Sequence, residues 1–160
     1  TVTSTFAFSD LETTTSGQTK WFVDTQSATL DTGTAPYMEW SIATSGSDLD
    51  LRYLAVHGIA ADGGSNYIAS FRHSGDGYTT DLRTLTPVGA ARNLLVDLSS
   101  LAVVTTSVTL RMFVHGNTSR QGLFTMNLTN TSPFQVGVDE FLAAQGASPQ
   151  CVSILGNLVP

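Results

Sequence analysis

The feature that most constrains the fold of this chain is an alternation of apolar and polar residues with a period of two. It is clearest over residues 49–57 and 108–115, and it recurs along most of the sequence. A period of two is that of a β-strand, in which successive side chains point to opposite faces of a sheet. Convincing helical periodicity is missing from the sequence, so the pattern predicts an all-β protein.

The spacing of the predicted strands indicates an antiparallel β-sandwich. About ten strands follow one another at intervals of 8–14 residues, separated by polar turns that contain glycine. Such spacing is typical of sandwiches, and we expect a jelly-roll-like arrangement. Since no internal repeat or low-complexity linker divides the chain, residues 1–160 are predicted to form one domain.

The composition excludes several classes of protein. Hydrophobic residues make up 41% of the chain and charged residues 12%, which is too apolar for a disordered protein. The net charge is −6 and Lys20 is the only lysine, so we expect no nucleic-acid partner, because little positive charge is available for phosphates. No apolar run approaches the roughly 18 residues of a membrane-spanning helix, so no membrane span is expected.

The chain is predicted to be extracellular or attached to the cell surface. It holds 23 Thr and 17 Ser, and it begins at Thr1 without a basic and apolar leader, as expected for a processed secreted protein; a trimmed chain is the alternative. The single cysteine, Cys151, excludes an intrachain disulfide and is either buried and inert or a free thiol. Three N-x-S/T sequons are candidate glycosylation sites, at Asn117, Asn127 and Asn130.

No arrangement of residues in the sequence indicates catalysis, and the chain is predicted not to be an enzyme. Its three histidines lack the spacing of metal ligands, and no G-x-S-x-G motif is present. No cofactor is expected, with calcium as the one candidate, because calcium takes oxygen ligands from loops. The residues that could supply these ligands are Asp62, Ser65, Asn66 and Asp76. The alternative is that they stabilise turns through Asx geometry.

A second candidate site lies in the turn after the strand at residues 67–71. The Asp76-Gly77 pair between two alternating runs predicts a β-hairpin, with Tyr78 beside it. Tyr78 is the aromatic residue that best fits an exposed platform for a sugar ring, with Arg72, His73 and Asp76 nearby for polar contacts. The alternative is that Tyr78 covers the sheet, and Trp40 and Trp21 are predicted to lie in the core.

The N-terminal strand is a candidate assembly element. Residues 1–10 form a possible donor arm with Val2, Ser4, Phe6 and Phe8 on one face, and residues 11–18 form a Thr-rich linker. Such an arm can complete the sheet of a neighbouring subunit, and head-to-tail contacts of this kind build open filaments. The alternative is an ordinary first strand that pairs within its own sandwich.

Two segments carry a family resemblance. Residues 71–79 read Phe-Arg-His-Ser-Gly-Asp-Gly-Tyr-Thr, and residues 96–101 read Val-Asp-Leu-Ser-Ser-Leu before the strand at 108–116. They resemble the R-x-S-x-D-G-[FY] hairpin and the DLSSL segment of secreted bacterial jelly-roll proteins of the PEP-CTERM, exosortase-sorted type. The chain departs from them in lacking the sorting tail and in having Val-Asp-Glu-Phe at 138–141. The resemblance implies export to the cell surface or exopolysaccharide matrix, and no catalytic residues.

Together these observations predict a non-enzymatic extracellular structural protein. It would be the subunit of a cell-surface or matrix filament assembled by β-strand addition, with copies of itself as partners. The alternative is a carbohydrate-binding module of a secreted or surface protein, with an extracellular polysaccharide as its partner.

Overall fold

A computed structural model of the chain describes residues 2–9, 12–16, 18–23, 26–61, 67–86, 92–116, 122–126 and 152–159. Eleven strands lie in these ranges, together with one 3₁₀ turn at Ser74–Asp76. The strands are β1 (Val2–Ser9), β2 (Glu12–Ser16), β3 (Gln18–Val23), β4 (Tyr37–Thr44), β5 (Asp48–Ala61), β6 (Ile68–His73), β7 (Arg83–Leu85), β8 (Arg92–Asp97), β9 (Ser107–His115), β10 (Gly122–Met126) and β11 (Val152–Val159).

The strands form two sheets, and every strand pair is antiparallel. The first sheet has the order β1-β4-β9-β6-β7. The second has the order β11-β5-β10-β3-β2, with β8 also paired to β5. Apolar residues of β4, β6 and β9 in the first sheet form one buried cluster with residues of β5 and β8 in the second. The prediction of an all-β, antiparallel sandwich is therefore confirmed.

The alternation in the sequence sets the two faces of the first sheet. In β4, Met38, Trp40 and Ile42 are buried, whereas the residues between them are partly exposed. The register pairs Met38 with Met112 and Trp40 with Leu110 on β9, so apolar positions meet on the face turned towards the second sheet. The inner face is lined by Met38, Trp40, Ile42, Ala69, Phe71, Val108, Leu110, Met112 and Val114.

Several predicted boundaries differ from the structure. Residues 12–16, expected in a linker, form β2 and pair with β3, because β-branched threonines favour extended backbone. The glycines at 58–65 predict a turn there, but strand β5 continues to Ala61. Strand β7 is limited to Arg83–Leu85, and the described residues hold eleven strands rather than about ten. The sequence also predicts a strand at 134–138 and offers a short helical candidate at 139–144, and both lie outside the described residues.

The edge of the second sheet contains a β-bulge. The pairing of β11 with β5 shifts between Leu155 and Gly156, so that Arg52 has no opposite residue. A Cβ atom on Gly156 would lie 2.7 Å from the carbonyl oxygen of Asp50, so the close approach of the two backbones requires glycine here. Among the described residues, no helix is long and apolar enough to cross a membrane.

Candidate functional site

The β6–β7 hairpin holds the four residues predicted to bind sugar. The sequence predicted the hairpin correctly, since β6 and β7 pair with Phe71 opposite Arg83. Its connection is a long loop that begins with the 3₁₀ turn at Ser74–Asp76 and places Gly77 and Tyr78 in the left-handed region, at φ 70° and 62°. Glycine adopts this conformation easily, but tyrosine does so only when other contacts hold it there.

The carboxylate of Asp76 organises this loop. It accepts hydrogen bonds from the backbone N–H groups of Thr79 (3.2 Å) and Thr80 (3.0 Å), and it lies 3.6 Å from Nε2 of His73. Burial alone would raise the pKa of Asp76, but these hydrogen bonds and the nearby His73 outweigh it and lower the pKa to about 2. Asp76 is therefore ionised at neutral pH, and its oxygens are used to shape the loop.

Arg72 ties the loop to the sheet. Its Nε donates to Oδ1 of Asp81 (2.6 Å), and its Nη1 donates to the carbonyl oxygen of Tyr78 (2.9 Å). The side chain of Arg72 is 17% exposed. Arg72 and Asp76 thus come together in one hairpin, as predicted, and both make hydrogen bonds within it.

Tyr78 folds back over the outer face of the first sheet, which we define as Tyr37, Glu39, Ser41, Ser70, Arg72, Thr109, Arg111 and Phe113. Its ring lies edge-on to that of Phe113, with 5.9 Å between centroids. The guanidinium carbon of Arg111 lies 4.3 Å from the centroid of Tyr78. Tyr78 is half-buried and covers the sheet, which was the alternative considered from the sequence.

Arg111 is the centre of the outer face. Its guanidinium lies over the ring of Tyr37 as well, at 4.1 Å, and its Nε donates to Oε2 of Glu39 at 2.7 Å. The rings of Tyr37 and Phe113 are also in edge contact, at 5.6 Å. Contacts of a guanidinium with aromatic rings and a carboxylate fix its plane, so Arg111 is held in one orientation.

Sheet register aligns three charged residues across this face, and a side-chain hydrogen bond adds a fourth. Glu39 is opposite Arg111, Arg111 is opposite Arg72, and Arg72 is bonded to Asp81. We call this acid–base–base–acid arrangement the charged row. Like charges placed directly opposite each other destabilise a sheet, so the two acids offset the repulsion between the arginines.

The sequence analysis missed Arg111, Glu39 and Asp81. The alternation placed Arg111 on the face opposite Leu110 and Met112, but it gave no sign that Arg72 would be its neighbour. That proximity depends on the β6–β9 register, which no local pattern reveals. The prediction that Trp40 is a core residue is confirmed, since its side chain is 5% exposed.

The end of the outer face holds a buried histidine. His115 is 7% exposed, and its Nε2 lies 3.0 Å from Oγ of Ser70. Burial lowers the pKa of His115; of the nearby charges, Asp81 acts to raise it and Arg72 to lower it. The adjoining backbone is fixed to the segment before β4, since the Gly116 N–H donates to the Ser27 carbonyl at 2.8 Å.

The candidate assembly strand is the edge strand of the first sheet. All eight residues of β1 pair with β4 of the same chain, from Val2 opposite Thr44 to Ser9 opposite Tyr37. The register sets Ser4, Phe6 and Phe8 opposite Ile42, Trp40 and Met38, three residues buried in the core. Val2 is 47% exposed.

Other candidate residues lie outside the described part of the chain. They are the calcium candidates Asp62, Ser65 and Asn66, the sequon residues Asn117, Asn127 and Asn130, and Cys151. Within the described ranges, no three His, Cys, Asp or Glu side chains form a group that could hold a metal ion.

A comparison with protein-family models finds none that matches this chain, and a comparison with curated proteins finds no match either. The function is therefore argued from the residues and their geometry.

Proposed function

We propose that this chain is a non-enzymatic extracellular structural protein, the subunit of a cell-surface or matrix filament that assembles by β-strand addition. In this assembly, β1 of one subunit occupies the edge of β4 on the next. The jelly-roll form of the sandwich and its relation to secreted PEP-CTERM proteins belong to the same proposal. The observation that carries it is the edge position of β1, which pairs along its whole length with β4 alone.

A β1 strand from a neighbouring subunit would form the same backbone ladder. β1 is the last strand at one edge of its sheet, so within the sheet it forms backbone hydrogen bonds with β4 alone. Identical strands make identical bonds whichever subunit supplies them, so exchange costs little in contact energy. A head-to-tail exchange leaves each subunit with one donor and one acceptor, which is what an open filament requires.

The connection between β1 and β2 favours exchange. Only residues 10 and 11 separate β1 in the first sheet from β2 in the second. Three extended steps between Ser9 and Glu12 span at most about 10 Å, and packed sheets lie about 10 Å apart. The connection is therefore barely longer than the distance it has to span within one subunit. Short hinge connections of this kind favour strand swapping.

The edge of β1 also lacks the features that protect other edges. β2 contains Glu12, β7 is three residues long, and the pairing of β11 is interrupted by the bulge at Arg52 of β5. Charges, shortness and bulges all hinder edge-to-edge pairing. β1 has eight residues without charge or proline, so it is the described edge strand best suited to association.

The test is a disulfide cross-link that shows whether the β1 strand paired with β4 comes from the same subunit or from a neighbouring one. Thr3 is directly opposite Ala43 in the register, and paired Cα atoms of this kind, about 4.5–5.5 Å apart, fall within disulfide range. We would introduce Thr3→Cys and Ala43→Cys on separate chains in a Cys151→Ser background, co-refold the two proteins and oxidise the mixture. Strand exchange predicts disulfide-linked heterodimers on a non-reducing gel, and filaments by negative-stain microscopy that disappear when residues 1–9 are removed.

The matched control is the double variant with both cysteines on one chain. Under exchange it gives covalent multimers, and under pairing within the chain it gives an oxidised monomer. Monomers from the double variant, together with no heterodimers from the mixture, would reject strand addition.

A further inference from the structure

We propose that the outer face of the first sheet binds a carboxylate group carried on a sugar, as in a uronate-containing polysaccharide, with Arg111 as the residue that receives the carboxylate. This site is centred on Arg111 of β9, which was not predicted from the sequence; it includes Arg72 and Tyr78 of the hairpin and does not involve the strand edge of β1. Its test therefore stands whether or not strand exchange occurs.

The first step is the hydrogen-bonding capacity of Arg111. A guanidinium has five N–H donors, and the described residues accept only from Nε, through Glu39. The terminal nitrogens Nη1 and Nη2 have no acceptor within the part of the chain that the structure describes, and the side chain is 22% exposed. The two parallel N–H donors of Nη1 and Nη2 match the two oxygens of a carboxylate.

The second step is preorganisation. Tyr37 and Tyr78 contact the guanidinium at 4.1 and 4.3 Å, and Glu39 fixes its Nε side. Ordering a flexible arginine on binding costs conformational entropy, and here much of that cost is met before the ligand arrives. A lysine could supply the charge but neither the planar fork nor the stacking.

The third step is the second positive charge in the charged row, that of Arg72. Arg72 stands directly opposite Arg111, and its Nη2 likewise lacks an acceptor among the described residues. Glu39 is bonded to Arg111 and Asp81 is bonded to Arg72, so each arginine has one acidic partner. Because the backbone register places Arg72 beside Arg111, its charge adds to the positive potential of this part of the outer face.

The sugar part of the proposal rests on the surroundings of Arg111. The hydroxyl groups of Ser41 and Thr109 lie on the same face and are hydrogen-bonded to each other at 3.1 Å, and both tyrosine rings are half-buried. Hydroxyl groups exchange hydrogen bonds with sugar hydroxyls, and partly exposed aromatic rings bury the apolar edge of a sugar. An acidic peptide would use the arginines but not this hydroxyl and aromatic surface.

The test is an NMR titration of the full chain with oligogalacturonate. The arginine Nε–Hε signals report binding directly in the wild-type protein, and fully methyl-esterified oligogalacturonate keeps the sugar rings but removes the charge. We expect the acidic oligomer to shift the Arg111 signal, with an effect that weakens as salt is added, and the ester to leave it unchanged.

Variants then locate the site. Arg111→Lys keeps the charge, and it is expected to lower the affinity at least about tenfold, the effect of losing one hydrogen bond to a charged group. The matched control is Arg83→Lys, on exposed β7 of the same sheet, which is expected to bind as the wild type does. Equal binding of the ester, equal loss in both variants, or no shift of Arg111 in the wild type would overturn the proposal. Poly-glutamate binding as tight as that of oligogalacturonate would overturn the assignment to a sugar.

Discussion

The two faces of the first sheet are built from the same strands and are stabilised by different forces. On β9, Leu110 and Met112 are buried against the second sheet, whereas Arg111 between them lies among Glu39, Tyr37 and Tyr78. The inner face is an apolar core whose stability comes from burial, which does not depend on direction. The outer face depends on ion pairs and ring contacts, which need defined geometry. One alternating sequence therefore encodes an apolar core on one face and a network of ion pairs and ring contacts on the other.

Two residues on the outer side of β9 are buried and so depart from this contrast between the faces. Phe113 is fully buried although it alternates with core residues, because Tyr37 and Tyr78 cover it. His115 is also buried on this side of the strand. The outer face therefore has a small packed region of its own, and this region is where the contrast between the faces can be tested.

The largest expected effect is on the inner face. Leu110→Ala removes a side chain that is 1% exposed and leaves a cavity in the sandwich core, so we expect a loss of about 2–5 kcal/mol in the free energy of unfolding. Urea denaturation followed by fluorescence measures it. Ser107→Ala, at an exposed position of the same strand, is the control and should change stability by less than about 0.5 kcal/mol. Similar effects of the two variants would contradict the contrast between the faces.

A smaller effect is expected from Tyr78, which covers the outer face. Tyr78→Ala removes the ring contacts with Phe113 and Arg111 and should cost about 1–2 kcal/mol. Tyr78→Gly loses the same contacts but relieves the left-handed backbone, so it should be about 1 kcal/mol more stable than the alanine variant. Urea denaturation of both variants checks this, and a glycine variant less stable than the alanine variant would show that the positive φ carries no strain.

The smallest effect is a pH dependence from His115. Burial lowers the pKa of His115 in the folded chain, so the unfolded chain binds the proton more readily. Its contribution to stability is full above the ordinary histidine pKa of about 6.5 and is lost as the pH falls below it. Unfolding curves between pH 8 and pH 5 should show this decline, and His115→Gln should flatten it. An unchanged slope in that variant would exclude His115 as the source.

Much of the fold could be predicted from the sequence, because alternation is a local property. Residues 38–42 and 108–114 showed which positions face the core, and Asp76-Gly77 marked the hairpin. Local patterns were weaker at the boundaries, where threonines assigned to a linker at 12–16 form β2. β-branched residues suit both exposed loops and strands, and the partner strand decides between them.

The candidate site was predictable only in part. Arg72, His73, Asp76 and Tyr78 were found because they are close in sequence, but their hydrogen bonds turned out to shape the loop itself. Asp81 lies in the hairpin loop, but Glu39 and Arg111 come from β4 and β9, and nothing in their local sequence marks them as neighbours of the hairpin.

The sequence by itself determined the all-β class, the core-facing positions of β4 and β9 and the position of the hairpin, because each of these follows from the chemistry of residues one or two positions apart. Only the tertiary structure decided that β6 lies beside β9, that Arg72 stands opposite Arg111, and that β1 is an edge strand. The physical reason is that strand pairing joins distant segments through backbone hydrogen bonds, which are the same for every residue type except proline. The choice of partner and register is therefore made by the packing of the whole sandwich.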